Sequence, residues 1–87
     1  MRIADRITEK LNLALHPESL KVEDESDLHL GHSGYREGGQ THFRLYVVAE
    51  AFRGKSRLER HRMINSVLAA ELGSIHALAI HAQAPGE

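Results

Sequence analysis

The sequence predicts a small α/β domain of the α+β type, in which a three-stranded mixed sheet carries both helices on one face. Two long segments repeat apolar residues at helical spacing, three short segments alternate apolar and polar residues, and the second helical segment lies between two strand segments. The predicted order is therefore helix, strand, strand, helix, strand. The chain has 87 residues, which is enough for one hydrophobic core, so we expect a single domain over residues 1–87.

The first helix is predicted in the segment RIADRITEKLNLAL at 2–15. Its apolar residues recur at spacings of four, four and three and form one stripe, made of Ile3, Ile7, Leu11 and Ala14. Pro17 marks its end, because proline cannot continue the helical hydrogen-bond ladder. The segment LKVED at 20–24 then alternates apolar and charged residues, which predicts a half-buried strand.

The strongest strand pattern is THFRLYVVA at 41–49. Alternate residues point to opposite faces of a strand. One face is expected to hold Phe43, Leu45, Val47 and Ala49, and the other His42, Arg44, Tyr46 and Val48. We expect His42, and His81 of the last strand, to lie on the solvent face.

The second helix is predicted in SRLERHRMINSVLAAEL at 56–72. Ser56 and Glu59 have the spacing of a capping box, and Gly73 ends the helix. The expected apolar stripe consists of Leu58, Ile64, Leu68 and Leu72, with His61 near its centre as a half-buried structural residue. The last strand is IHALAIHAQ at 75–83.

Topology brings the histidines together. The first two strands form an antiparallel hairpin, and the strand–helix–strand crossover makes the third strand parallel to the second. The glycine-rich hairpin loop DLHLGHSGYREGGQTH at 27–42 then lies at the sheet edge where the third strand begins. We therefore expect His29, His32 and His42 to converge with His76.

The composition excludes several classes of function. The chain contains no cysteine, which excludes disulfides, thiol catalysis and a cysteine-ligated metal site made by this chain alone. A hydrolase triad is not predicted. Ser33 or Thr41 could act as a nucleophile and His42 as its base, but no acid is placed to orient the base, so we expect no enzyme. No segment resembles a membrane span or a signal peptide, so the expected location is cytoplasmic.

Six ordered motifs carry a resemblance to a known family. They are DES at 24–26, THF at 41–43, F-x-G at 52–54, RHR at 60–62, AAEL at 69–72 and HALAI at 76–80. In this order and spacing they resemble the BolA-like proteins. The resemblance covers nearly the whole chain and implies a fold similar to that of class II KH domains, in agreement with the predicted element order.

The resemblance also implies a function. BolA-like proteins pair with monothiol glutaredoxins, and the heterodimer holds a bridging 2Fe–2S cluster in iron–sulfur trafficking or iron homeostasis. The partner supplies a cysteine and a bound glutathione, and the BolA-like chain supplies the remaining ligands. These map onto His76 of HALAI and onto a loop histidine, for which His29 is favoured and His32 remains open. No cofactor is expected on the isolated chain.

The alternative is a DNA-binding transcriptional regulator, a role attributed to some family members and suggested by the KH-like fold. It is supported by a local basic run around the second helix, made of Arg53, Lys55, Arg57, Arg60 and Arg62. The net charge of −1 and the absence of a G-x-x-G clamp between two helices argue against strong binding, since phosphate contacts need clustered cations. Any DNA binding is therefore expected to be weak.

Overall fold

The computed structural model describes residues 2–25 and 42–87. Its regular elements are the helices α1 (Ile3–Leu15), α2 (Arg57–Val67) and α3 (Ala69–Leu72) and the strands β1 (Ser19–Asp24), β2 (His42–Val48) and β3 (Ala77–Gln83), with a short 3₁₀ turn at Glu50–Phe52. This order confirms the predicted succession of helix, strand, strand, helix and strand. The loop that contains His29 and His32 lies outside the described residues.

The described strands form one sheet in the order β1-β2-β3. β1 is antiparallel to β2, and β3 is parallel to β2, as the crossover rule predicts. His42 pairs with Ala77, so β2 and β3 begin at the same edge. At that edge the Glu25 N–H donates to the His42 carbonyl at 2.8 Å. Glu25 and His42, the described residues on either side of the gap, therefore lie at the edge where β3 begins.

The hydrophobic core lies between one face of the sheet and the helices. It joins side chains from all layers of the fold, namely Ile7, Leu11, Phe43, Leu45, Val47, Ala49, Phe52, Ile64 and Leu68. The helices α1 and α2 thus cover one face, as predicted, and Leu72 of α3 packs against the same core. On the opposite face Tyr46 is 40% exposed and His81 is exposed as well. No helix in the described ranges is long and apolar enough to cross a membrane.

The structure corrects the predicted helical stripes. Leu58 is 58% exposed, because at about 100° per residue it lies roughly 120° around the helix from Ile64. In α1, Ala14 is exposed and Leu15, four residues after Leu11, packs on the core instead. The predicted second helix is also interrupted at Leu68, whose φ of −100° and ψ of 16° separate α2 from α3.

Candidate functional site

His76 lies between the end of α3 and the first residue of β3, and its side chain is exposed. Its ring lies against that of His42, the first residue of β2, with 5.0 Å between the ring centroids and an interplanar angle of 51°. Two strands that start at the same edge thus bring together two imidazoles that are far apart in sequence. This convergence is the part of the histidine prediction that falls on described residues.

The prediction that His42 lies on the solvent face is wrong, since it is only 5% exposed. Strand alternation places it on the same side as Arg44 and Tyr46, as expected, but at the end of the strand His76 packs against it. A period-two pattern reports the side of a strand on which a residue lies. It does not report which distant residue covers that side chain.

His76 offers an exposed imidazole that could act as a metal ligand, and the buried ring of His42 lies against it. A neutral imidazole presents one nitrogen lone pair, which suits iron as well as zinc. In the ranges 2–25 and 42–87, no group of three histidine, cysteine, aspartate or glutamate residues is placed to hold a metal ion. His76 could therefore act as one ligand of a shared metal site. The other ligands of such a site would have to come from residues outside the described ranges or from another molecule.

The open face of the sheet has its own network beside this edge. Tyr46 and His81 stack with 4.7 Å between ring centroids and an interplanar angle of 8°. Arg44 Nε donates to Glu25 Oε2 at 2.9 Å, and Arg44 Nη1 lies 2.9 Å from His81 Nε2. Because arginine only donates, Nε2 of His81 can take only the acceptor role in a hydrogen bond with Arg44. The hydrogen bond that Arg44 donates to the Glu25 carboxylate, together with the negative charge of that carboxylate, raises the pKa of Arg44 above its usual value.

Comparison with known proteins identifies the family. The family model described as BolA-like protein matches residues 11–87. The chain belongs to the BolA-like family.

The relatives and solved structures that match this BolA-like chain cover most of its length. It is 46% identical over 89 residues to an "Uncharacterized protein in cobS 5'region" of Sinorhizobium sp, covering 100% of this chain and 96% of that protein. It is 46% identical to the "DNA-binding transcriptional regulator BolA" of Vibrio cholerae, covering 91% of this chain and 72% of that one. The solved "BolA domain of SufE1 from Arabidopsis thaliana" is 48% identical with a TM-score of 0.84, covering 94% of this chain and 91% of that one.

Some relatives are much longer than the BolA-like chain itself. It spans 24% of the length of the A. thaliana SufE-like protein 1. In that protein the matching region is therefore one part of a longer polypeptide.

The predicted basic run of the BolA-like chain is divided by ion pairs. Arg53 Nε donates to Glu50 Oε1 at 2.6 Å, and Arg60 Nη1 donates to Glu87 Oε1 at 2.6 Å. Lys55, Arg57 and Arg62 form no ion pair with a carboxylate of the described residues. Sequence reasoning found the cations but missed both acidic partners. Glu50 lies only three residues from Arg53, so their spacing could have indicated that pair, whereas Glu87 reaches Arg60 only through the tertiary fold.

Proposed function

We propose that this chain is a non-enzymatic adaptor that pairs with a monothiol glutaredoxin and contributes histidine ligands to a bridging 2Fe–2S cluster. Its role would lie in iron–sulfur trafficking or iron homeostasis. The observation that carries the proposal is the exposed imidazole of His76, which lies against the buried ring of His42 at the sheet edge where Glu25 is also placed.

His76 is the proposed ligand of defined position, and His29 or His32 of the loop is the second. The cluster, when bound, supplies the iron that accepts nitrogen donors in addition to the thiolates of the glutaredoxin cysteine and of glutathione. The imidazoles must be neutral to ligate, so acid should weaken the site. His42 is a positioning residue, because its buried ring limits the orientations that the His76 ring can adopt.

The test is visible circular dichroism of the chain reconstituted with a monothiol glutaredoxin, iron, sulfide and glutathione. We expect His76→Ala to abolish or alter the cluster spectrum, whereas His29→Ala and His32→Ala singly have smaller effects because one loop imidazole can substitute for the other. Melting temperature should change little for His76→Ala, since the side chain is exposed.

The matched control is His81→Ala, which removes an exposed imidazole from within β3, five residues along the chain from His76. Its cluster spectrum should equal that of the wild-type heterodimer. A His76→Ala variant that unfolds the chain, or that folds and keeps an unchanged cluster spectrum, would refute the ligand assignment.

The second candidate function is DNA binding, which is the role named for the V. cholerae relative. The supporting feature here is the set of cations without a described carboxylate partner, Lys55, Arg57 and Arg62. Fluorescence anisotropy with a DNA duplex should show weak binding that falls steeply with salt and falls again when these three residues become glutamine. Tight, sequence-selective binding at physiological salt that survives those substitutions would favour DNA binding as the main function.

A further inference from the structure

A groove of about 440 Å³ runs between the first turns of α2 and the second half of β3. One wall is cationic and is formed by Lys55, Arg57 and Arg60, and the other is the edge of β3 from Ile80 to Gln83. By a strand rise of about 3.3 Å per residue, Ile80 lies about 13 Å along β3 from His76. The groove is therefore separate from the histidine edge.

A carboxylate of the chain already occupies this groove. Arg60 Nη1 and Nη2 donate to the two oxygens of Glu87 at 2.6 and 2.8 Å, the paired geometry in which guanidinium binds carboxylate most strongly. The Ala84 N–H also donates to Glu87 Oε1 at 2.8 Å. These hydrogen bonds, from Arg60 first and then from Ala84, lower the pKa of Glu87 to about 2. The groove thus has a built position for an anion.

The other wall can bind a polypeptide through its backbone. In the described sheet β3 has β2 on one side and no strand on the other. The Gln83 carbonyl accepts from Ala49 on the β2 side, whereas the Ala82 carbonyl accepts from Arg60 on the groove side. Because backbone groups alternate along a strand, the N–H and C=O of Ile80 also face the groove. In the described part of the chain, no hydrogen bond outside the sheet reaches them.

We propose that this groove binds an extended acidic segment of a partner protein, which pairs with the edge of β3 and places a carboxylate on Arg60 in exchange for Glu87. Glu87 is then an intramolecular competitor. A peptide suits both walls, since its backbone pairs with Ile80 and its acidic side chains reach Lys55 and Arg57. Nucleic acid would contact only the cations of the basic run. Two of those five cations already form ion pairs with carboxylates, so a peptide fits the groove better.

The test is a titration of the ¹⁵N-labelled chain with a blocked heptapeptide, Glu-Thr-Glu-Val-Glu-Thr-Glu, followed by amide shifts at low ionic strength without glutaredoxin. We expect shifts in β3 and the first turns of α2. Glu87→Gln should tighten binding about threefold, and Arg57→Gln should weaken it about two- to fivefold, as expected for exposed charge pairs. The same peptide with glutamine for glutamate should bind more weakly.

Arg62→Gln is the matched control, because it removes the same charge from α2 outside the groove. It should leave the affinity for the peptide within error of the wild-type value. The proposal is overturned if Glu87→Gln shows no shifts with millimolar peptide, if the shifts lie away from β3, or if oligothymidine binds the same amides more tightly than the peptide. Since glutaredoxin is absent, none of these results bears on cluster ligation.

Discussion

Glu71 is a carboxylate withdrawn from water, with a side chain that is fully buried between α1 and α3. Lys10 Nζ donates to Oε1 at 2.9 Å, while Arg6 Nη2 lies 3.1 Å from Oε2 without the alignment of a hydrogen bond. Burial by itself raises the pKa of Glu71. The hydrogen bonds from Lys10 and from its own backbone N–H, together with the charges of Lys10 and Arg6, outweigh burial, so the pKa lies below its usual range.

Glu71→Gln should therefore destabilise the fold at neutral pH. Removing one partner of a buried ion pair costs about 3–5 kcal/mol, but Lys10 and Arg6 are 40% and 46% exposed and regain water, which reduces the expected loss to about 1–3 kcal/mol. Urea unfolding at pH 7 measures it. Glu9→Gln, an exposed neighbour on α1, is the matched control and should change little.

The same residue predicts a pH dependence. A carboxylate with a lowered native pKa stabilises the fold above its unfolded value of about 4.3, and that contribution is lost as the pH falls through the native pKa. The difference in unfolding free energy between wild type and Glu71→Gln should therefore be constant above about pH 5 and shrink in more acidic solution. A difference that grows on acidification would contradict this assignment.

At the scale of elements, α2 begins with the capping box that its sequence predicts. Ser56 Oγ accepts from the Glu59 N–H at 3.1 Å, and the Ser56 N–H donates to Glu59 Oε1 at 2.8 Å. The backbone hydrogen bond from Ser56 is the largest cause that lowers the pKa of Glu59. Local chemistry within four residues is enough to determine this helix start, which is why sequence reasoning located it.

Ser56→Ala should lower the free energy of unfolding by about 1 kcal/mol, the usual cost of losing an N-cap side chain. Ser66→Ala is the matched control, since Ser66 is exposed in the last turn of α2, away from the N-cap, and alanine is the better helix former. Chemical denaturation should show a loss for the first variant and no loss for the second. Equal effects would mean that the capping box does not stabilise α2.

At the scale of the whole molecule, stability depends on a small core that α1, α2 and the sheet share. Leu68 is fully buried at the junction of α2 and α3, whereas Leu58 is 58% exposed. Leu68→Ala should cost about 2–5 kcal/mol, a large fraction of the total stability of a domain of this size. Leu58→Ala should cost well under 1 kcal/mol. Thermal melts of the two variants, run side by side, should show the larger fall in melting temperature for Leu68→Ala. A larger fall for Leu58→Ala would contradict this prediction.

Patterns that depend on neighbours in the chain predicted most of the fold. The alternation in β2 located Phe43, Leu45 and Val47 in the core, and the crossover rule located the edge where His42 meets His76. The burial of His42 was not predictable from its place in the strand, because the His76 ring that packs against it comes from just before another strand. The roles of His29 and His32 remain predictions.

The sequence by itself determined the elements, the strand directions and the family, because periodicity, capping and motifs are properties of short stretches of chain. Only the tertiary structure decided which charged groups distant in sequence meet. The carboxylates of Glu71 and Glu87 reach Lys10 and Arg60 across 61 and 27 positions of sequence. Such pairs depend on how helices and strands pack, and a contact between residues so far apart leaves no local pattern to read.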